Sequence, residues 1–172
     1  MSRVFIKDIK LGESNHIAGY VENIRNKKWM CFIVLRDVTG KIQVTIEKEK
    51  HPEWEEMLNS ITVDSVIQVE GLILASEYVK LNGMEMYPDS IKIEAIAEPS
   101  PIVAPKGEET NIDLRLDYRW IDLRTEKNTL MFKVQSCFVN LCREFLNQRD
   151  FTEIHSPKLI GTASESGSEV FE

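Results

Sequence analysis

The chain has 172 residues, 42% of them hydrophobic, and its 28 acidic residues outnumber 21 basic ones to give a net charge of −7. That length supports one large core or two small ones, and an acidic balance argues against a protein that coats nucleic acid nonspecifically. Apolar runs such as Met30 to Leu35 are far too short to span a membrane, and the start "MSRVFIKDIKLGES" has neither an apolar signal core nor a small-residue cleavage site.

Up to about residue 98 the pattern is β. "HIAGYVENI" (16–24), "WMCFIVLRD" (29–37), "KIQVTIEK" (41–48), "SVIQVEGLILAS" (65–76) and "MEMYPDSIKIEAIAE" (84–98) are β-rich and bounded by turn residues. "VTGK" (38–41) reads as a glycine-containing hairpin turn between the second and third. One helical segment, "PEWEEMLNSI" (52–61), interrupts them. Pro52 sits in its first turn, and Trp54, Met57, Leu58 and Ile61 share one face. Five strands with a helix between the third and fourth is the order of an OB-fold barrel; a generic small barrel or sandwich is the alternative.

Charge is unevenly placed. Residues 20–50 hold seven Lys/Arg against four acids, a local +3 that leaves −10 for the remainder. A basic face on an acidic protein suits a polyanion bound at one place, and a lysine-guarded strand edge explains it equally well. On the strands of that region stand Arg25, Phe32 and Gln43. A ring for stacking, an amide for a base edge and a guanidinium for phosphate or base would make a small reader of single-stranded nucleic acid. Core packing for Phe32 and plain solvation for the other two are the competing readings.

"AEPSPIVAPKGEE" (97–109) has three prolines and no periodicity, as an extended linker does. In "EKNTLMFKVQSCFVNLCREFLNQRD" (126–150), Leu130, Val134, Cys137, Phe138, Leu141 and Phe145 recur at helical steps. That stripe is wider than the remaining residues can cover, so it calls for another domain or a second subunit. "FTEIHSPKLI" (151–160) alternates like a strand and leads into a Ser/Gly/Glu-rich loop. Three cysteines (Cys31, Cys137, Cys142) in apolar surroundings, without metal spacing, read as reduced core thiols. No phosphate-binding glycine loop occurs, and His16, His51 and His155 lie far apart with no nucleophile motif beside them. His155, next to Pro157, is expected to be structural.

Three blocks carry a resemblance to a known family. "GYVENIRNKKWMCFIVLRDVTGKIQV" (19–44) resembles the anticodon-binding OB domain of class IIb aminoacyl-tRNA synthetases, with its pattern G-(W/Y)-V … F-(I/V)-x-(L/M)-R-D-x-x-G-x-(I/V)-Q-V. "LRLDYRWIDLR" (114–124) resembles the segment joining hinge to catalytic domain, whose core is R-L-x-x-R-x-(I/L)-D-L-R. "FTEIHSPKLIGTASESGSEVF" (151–171) resembles motif 1, with Pro157 on the motif's proline, followed by the mobile loop over the amino-acid pocket. Within the subclass, "TASESGSEVF" is similar to the T-A-T-E-G-G-T-E-L-F loop of archaeal-type aspartyl enzymes, whereas the asparaginyl loop reads nearer E-G-A-G-E.

The resemblance implies an OB barrel at 1–98, a linker and hinge at 99–125, and the α+β start of a class II catalytic domain at 126–172, with motif 1 helix and strand. It implies that Phe32 stacks on a central anticodon uridine, that Gln43 hydrogen-bonds its edge and that Arg25 supports the anticodon. Glu165 would face the ammonium of bound aspartate, in a loop that Ser164, Ser166 and Gly167 let move. Pro157 would lie in a homodimer interface. The implied activity is aspartate–tRNA ligation with ATP and Mg2+ in a cytoplasmic, membrane-free enzyme. Motifs 2 and 3 would lie beyond residue 172, leaving this chain inactive by itself and without catalytic or metal-binding residues of its own. An asparaginyl enzyme and a free-standing OB module that binds tRNA or single-stranded nucleic acid are the alternatives. Two departures stand out. Glu22 occupies a position where archaeal aspartyl enzymes often carry Trp when they charge only the aspartate tRNA, or His when they also accept the asparagine tRNA. Ser166 replaces a loop glycine.

Overall fold

A computed structural model describes residues 2–102 and 110–157. The chain divides into two compact units, Met1–Pro101 and Ile102–Glu172.

In the first unit, five strands run β1 (Ser14–Asn26), β2 (Met30–Arg36), β3 (Lys41–Glu47), β4 (Val66–Ala75) and β5 (Met84–Ala95). They close a barrel in the order β1-β2-β3-β5-β4, which is the OB arrangement that the sequence order implies. All neighbours are antiparallel except β3 and β5, whose short parallel contact pairs Gln43 with Glu85 and Val44 with Met86. Alternation does the sorting. Along β2, Cys31, Ile33 and Leu35 face inward, and Met30, Phe32, Val34 and Arg36 stand on the other side. The interior is an apolar cluster that includes Ile17, Val21, Ile33, Leu35, Val44, Ile46, Ile67, Val69, Ile73 and Met86. Burying such side chains contributes about 1.5–3 kcal/mol each before entropy is counted.

Between β3 and β4, Pro52 opens a 3-10 turn (Pro52–Trp54) that continues into α1 (Glu55–Ser60). Leu58 and Ile61 are buried against the barrel, with Trp54 and Met57 partly covered beside them. Two glycines are dictated by close approach. A Cβ at Gly19 would stand 2.4 Å from the Arg36 carbonyl oxygen, and one at Gly71 would stand 2.1 Å from that of Tyr87. Neither strand pair can close at those points around a side chain. The β2–β3 turn is tied from within: the Asp37 carboxylate accepts from the backbone N–H groups of Ile6 (2.8 Å), Thr39 (2.6 Å) and Gly40 (2.9 Å) and from the Thr39 hydroxyl (2.6 Å).

In the second unit the stretch expected as linker and hinge contains two short helices, α2 (Ile112–Asp117) and α3 (Arg119–Asp122). They precede α4 (Glu126–Asn147), whose N-cap Thr125 accepts from the Asn128 N–H. The "LRLDYRWIDLR" motif knots these elements together. Asp122, fully buried, accepts from Arg115 Nε (2.8 Å) and Arg119 Nη1 (2.5 Å), while its backbone carbonyl accepts from Asn128 Nδ2 and the Thr125 hydroxyl, both at 2.9 Å. The Arg115 hydrogen bond, helped by the charges of both arginines, holds the Asp122 carboxyl below its ordinary range despite burial.

Three expectations are corrected. The helix ends at Asn147 rather than 150, and Asp150 takes a positive φ of 62° just after it. Residues 151–157 carry no strand assignment, because extended backbone becomes a strand only with a pairing partner; the rest of the expected strand, 158–160, lies outside the described residues. Cys31 is a buried core thiol, whereas Cys137 and Cys142 are exposed on α4, all three free. The α4 stripe is present and uncovered: Leu130, Val134, Phe138, Leu141 and Phe145 are all exposed. No helix among the described residues is long and apolar enough to cross a membrane.

Candidate nucleic-acid interface

The three expected reader residues meet on the outer face of the barrel. Register places Arg25 opposite Phe32 on β1–β2, Phe32 opposite Thr45 on β2–β3, and Gln43 opposite Glu85 across the parallel β3–β5 seam. The Arg25 guanidinium carbon lies 5.4 Å from the centre of the Phe32 ring, within cation–π range, and Arg25 Nη2 donates to Gln43 Oε1 at 3.3 Å. Phe32 is not among the buried core residues, so core packing does not account for it.

The structure adds three residues that the sequence did not point to. Gln43 Nε2 donates to the Thr45 hydroxyl oxygen (3.1 Å) and more weakly toward Glu85 Oε2 (3.5 Å). The Thr45 hydroxyl in turn donates to Glu85 Oε2 at 2.6 Å, and the Tyr87 hydroxyl donates to Glu85 Oε1 at 3.1 Å. Burial pushes the Tyr87 hydroxyl pKa up, and the negative charge of Glu85 beside it adds to that. Thr45 and Gln43 alternate correctly for a shared face, but neither Glu85 nor Tyr87 carries any local signal. Only closure of the barrel brings them beside Gln43.

This network fixes an amide. The Thr45 proton is committed to the Glu85 carboxylate, so Thr45 offers Gln43 a lone pair and selects the NH2 end of that amide. At the other end, Arg25 donates to the carbonyl oxygen. Gln43 therefore has one orientation; with one N–H shared between Thr45 and the weaker Glu85 contact, one N–H and one oxygen lone pair remain. Lys41 and Arg36 stand nearby on the same strands, both ion-paired to Glu22 (2.8 and 3.3 Å). Glu22 falls at the β-bulge where the β1–β2 register shifts between Val21 and Asn23.

Pro157 is exposed at the end of the described part of the second unit. Ser164, Glu165, Ser166 and Gly167 lie outside the described residues. Among the described residues no group of three or more His, Cys, Asp or Glu is arranged to hold a metal ion.

Comparison with known proteins agrees with this architecture. Residues 16–94 match the OB-fold nucleic acid binding domain family, and residues 111–172 match tRNA synthetases class II (D, K and N). An aspartate–tRNA(Asp) ligase of Picrophilus torridus is 38% identical over 170 residues, 98% of this chain and 40% of that protein. An aspartate–tRNA(Asp/Asn) ligase of Methanopyrus kandleri is 38% identical over 162 residues, 93% of this chain and 37% of that protein. Among solved structures, asparaginyl-tRNA synthetase of Pyrococcus horikoshii with asparaginyl-adenylate superposes with a TM-score of 0.88 at 26% identity, over 97% of this chain and 39% of that one. Aspartyl tRNA synthetase of Entamoeba histolytica gives 0.81 at 27% identity, over 94% and 40%. The chain thus spans about 40% of the length of the curated relatives it matches. It joins a segment that matches the OB-fold nucleic acid binding domain family to one that matches the class II tRNA synthetases of the D, K and N group.

Proposed function

We propose that this chain is the tRNA-anticodon-binding portion of an aspartate–tRNA ligase, and that its barrel reads a central uridine through Phe32, Gln43 and Arg25. The observation that carries the reading is the fixed amide of Gln43 beside an outward-facing ring. Uracil presents an N–H donor next to a carbonyl acceptor, which complements an amide offering one lone pair and one N–H. Cytosine presents the reverse order at the same two atoms. Because Thr45 and Arg25 hold the amide one way round, it cannot flip to suit cytosine without losing both contacts. Phe32 supplies the stacking surface, and Arg25, already over the ring, is placed to meet base or phosphate.

The two relatives at 38% identity are named as aspartate ligases, whereas the asparaginyl enzyme that superposes over 97% of the chain is 26% identical; the higher sequence identity supports aspartate over asparagine as the amino acid. In the whole enzyme, aspartate would be activated as an adenylate with ATP and Mg2+ and then esterified to the tRNA 3′ end. Glu165, with Ser164, Ser166 and Gly167, is proposed for the amino-acid pocket on the motif resemblance alone. The uncovered stripe of α4, with Pro157 following it, is proposed as a two-fold interface between copies of the chain.

The test is a titration with anticodon stem-loop RNAs that differ only in the central base. A U-to-C change should weaken binding about five- to 150-fold, the equivalent of roughly 1–3 kcal/mol for one well-read base edge. Equal affinity for the two RNAs would overturn the assignment.

A further inference from the structure

The barrel carries a second aromatic–basic cluster, at the end where β1 passes into β2. Lys28 and Trp29 form a two-residue loop, closed by the Lys27 N–H on the Met30 carbonyl oxygen (2.9 Å). The Trp29 carbonyl oxygen accepts from the Lys48 N–H (3.0 Å), which ties the tip to the end of β3. Lys27, Lys28 and Trp29 are exposed, the tryptophan by 57%, and the Lys28 ammonium lies 4.6 Å from the centre of its ring. The two segments that meet there, 25–29 and 47–50, carry five positive charges (Arg25, Lys27, Lys28, Lys48 and Lys50) and two negative ones (Glu47 and Glu49). Lys50 is paired with Glu47 at 2.8 Å. Tight hairpin loops favour Gly, Asn and Asp, so turn chemistry does not explain a tryptophan there. Tyr78, in the β4–β5 loop, is more exposed still, but the charges beside it in sequence, Glu77 and Lys80, cancel.

We propose that this hairpin tip is a second nucleotide-binding point: an unpaired base of the bound RNA stacks on Trp29, and the flanking phosphates meet Lys27, Lys28 and Lys48. The proposal rests on the reading of the barrel as an anticodon-loop binder and extends it by one nucleotide position. Trp29 precedes β2 by one residue, so roughly 10 Å of strand separates it from Phe32. A loop strand whose central base lies on Phe32 can run along β2 toward the tip. With Trp29 57% exposed and the Lys28 ammonium over its ring, the tip offers an aromatic surface beside positive charge, which favours a base that brings its phosphate with it.

The experiment measures affinity of the 172-residue chain for an anticodon stem-loop with a central U, and for a set of the same RNA with one abasic nucleotide at each loop position. Trp29→Ala should weaken binding about five- to 150-fold, Trp29→Phe much less, and Lys28→Ala should reduce the slope of log affinity against log salt by about 0.7. One abasic position, different from the one that cancels the Phe32→Ala effect, should cancel the Trp29→Ala effect. Binding by Trp29→Ala within twofold of the parent, or weakening that persists at every abasic position, overturns the second site. Failure of the parent chain to bind the RNA at all overturns the anticodon reading as well, whereas sensitivity to Phe32→Ala alone leaves that reading standing and removes only this one.

Discussion

Phe32→Ala is the substitution whose consequence the geometry defines best. The ring stands on the outer face of β2, opposite Arg25 and Thr45 and outside the aliphatic cluster. Its removal therefore leaves no interior cavity, and the 3–5 kcal/mol typical of deleting a core phenylalanine does not apply. Two losses remain. The stack with a base is worth about 1–3 kcal/mol, and the platform beneath Arg25 about 0.5–1 kcal/mol at an exposed site. The second loss also frees Arg25 from its 3.3 Å contact with Gln43. Together they predict a dissociation constant raised about ten- to several-hundred-fold, at 1.4 kcal/mol per decade, with a thermal midpoint little changed. Fluorescence polarisation with a labelled stem-loop, repeated with an RNA that is abasic at the central position, separates the terms. Against the abasic RNA the mutant and parent should differ only by the Arg25 contribution. Equal affinities for the intact RNA, or an undiminished difference for the abasic one, would refute the placement of the base on Phe32.

Other outcomes follow from the same coordinates. Gly71→Ala should destabilise the barrel by at least the 1–3 kcal/mol usual for overpacking, since its Cβ meets backbone atoms of Tyr87 and Pro88 that cannot rotate away; a urea midpoint equal to that of the parent would contradict the close approach. At Asp37, burial raises the carboxyl pKa, but the hydrogen bonds from Thr39, Ile6 and Gly40 outweigh it and hold the group below its ordinary range. That stabilisation is present above the unfolded value near 3.9 and is lost as pH falls through the lower folded value. Asp37→Asn should thus cost about 1–2 kcal/mol at pH 7 and progressively less below pH 4, as urea titrations at both pH values will read. In the full-length protein, Glu165→Ala should raise the aspartate KM and leave tRNA affinity nearly unchanged; a defect on the tRNA side alone would remove Glu165 from the amino-acid pocket. Light scattering should find the chain dimeric, and replacing Phe138 on α4 by Asp should make it monomeric without loss of helix.

Much of the fold was legible because it rests on local rules. Alternation along 29–37 and 41–48, the turn between them and the proline-led helix at 52–61 each express a period or a start signal confined to a few residues. Arg25, Phe32 and Gln43 were legible for a similar reason: consecutive antiparallel strands joined by short turns have their outward positions fixed by parity. The second unit was less so. Nothing local distinguished a linker from the short helices α2 and α3, because buried Asp122 and its two arginines hold them and that burial depends on packing. The α4 cysteines misled for the opposite reason, since an apolar neighbourhood in sequence is a buried one only if something covers it.

What sequence determined, then, was the order of elements, the placement of Arg25, Phe32 and Gln43 on adjacent strands and the apolar stripe of α4. What only tertiary structure decided was the setting of Gln43. Glu85 lies 42 residues away in the chain and reaches it through the parallel seam where β5 closes the barrel against β3. No periodicity encodes such a meeting. It arises because burying the inner faces of the five strands together closes the barrel, and that closure brings Glu85, with Tyr87 bonded to it, beside Thr45 and Gln43, so that Thr45 and Arg25 set the direction of the amide.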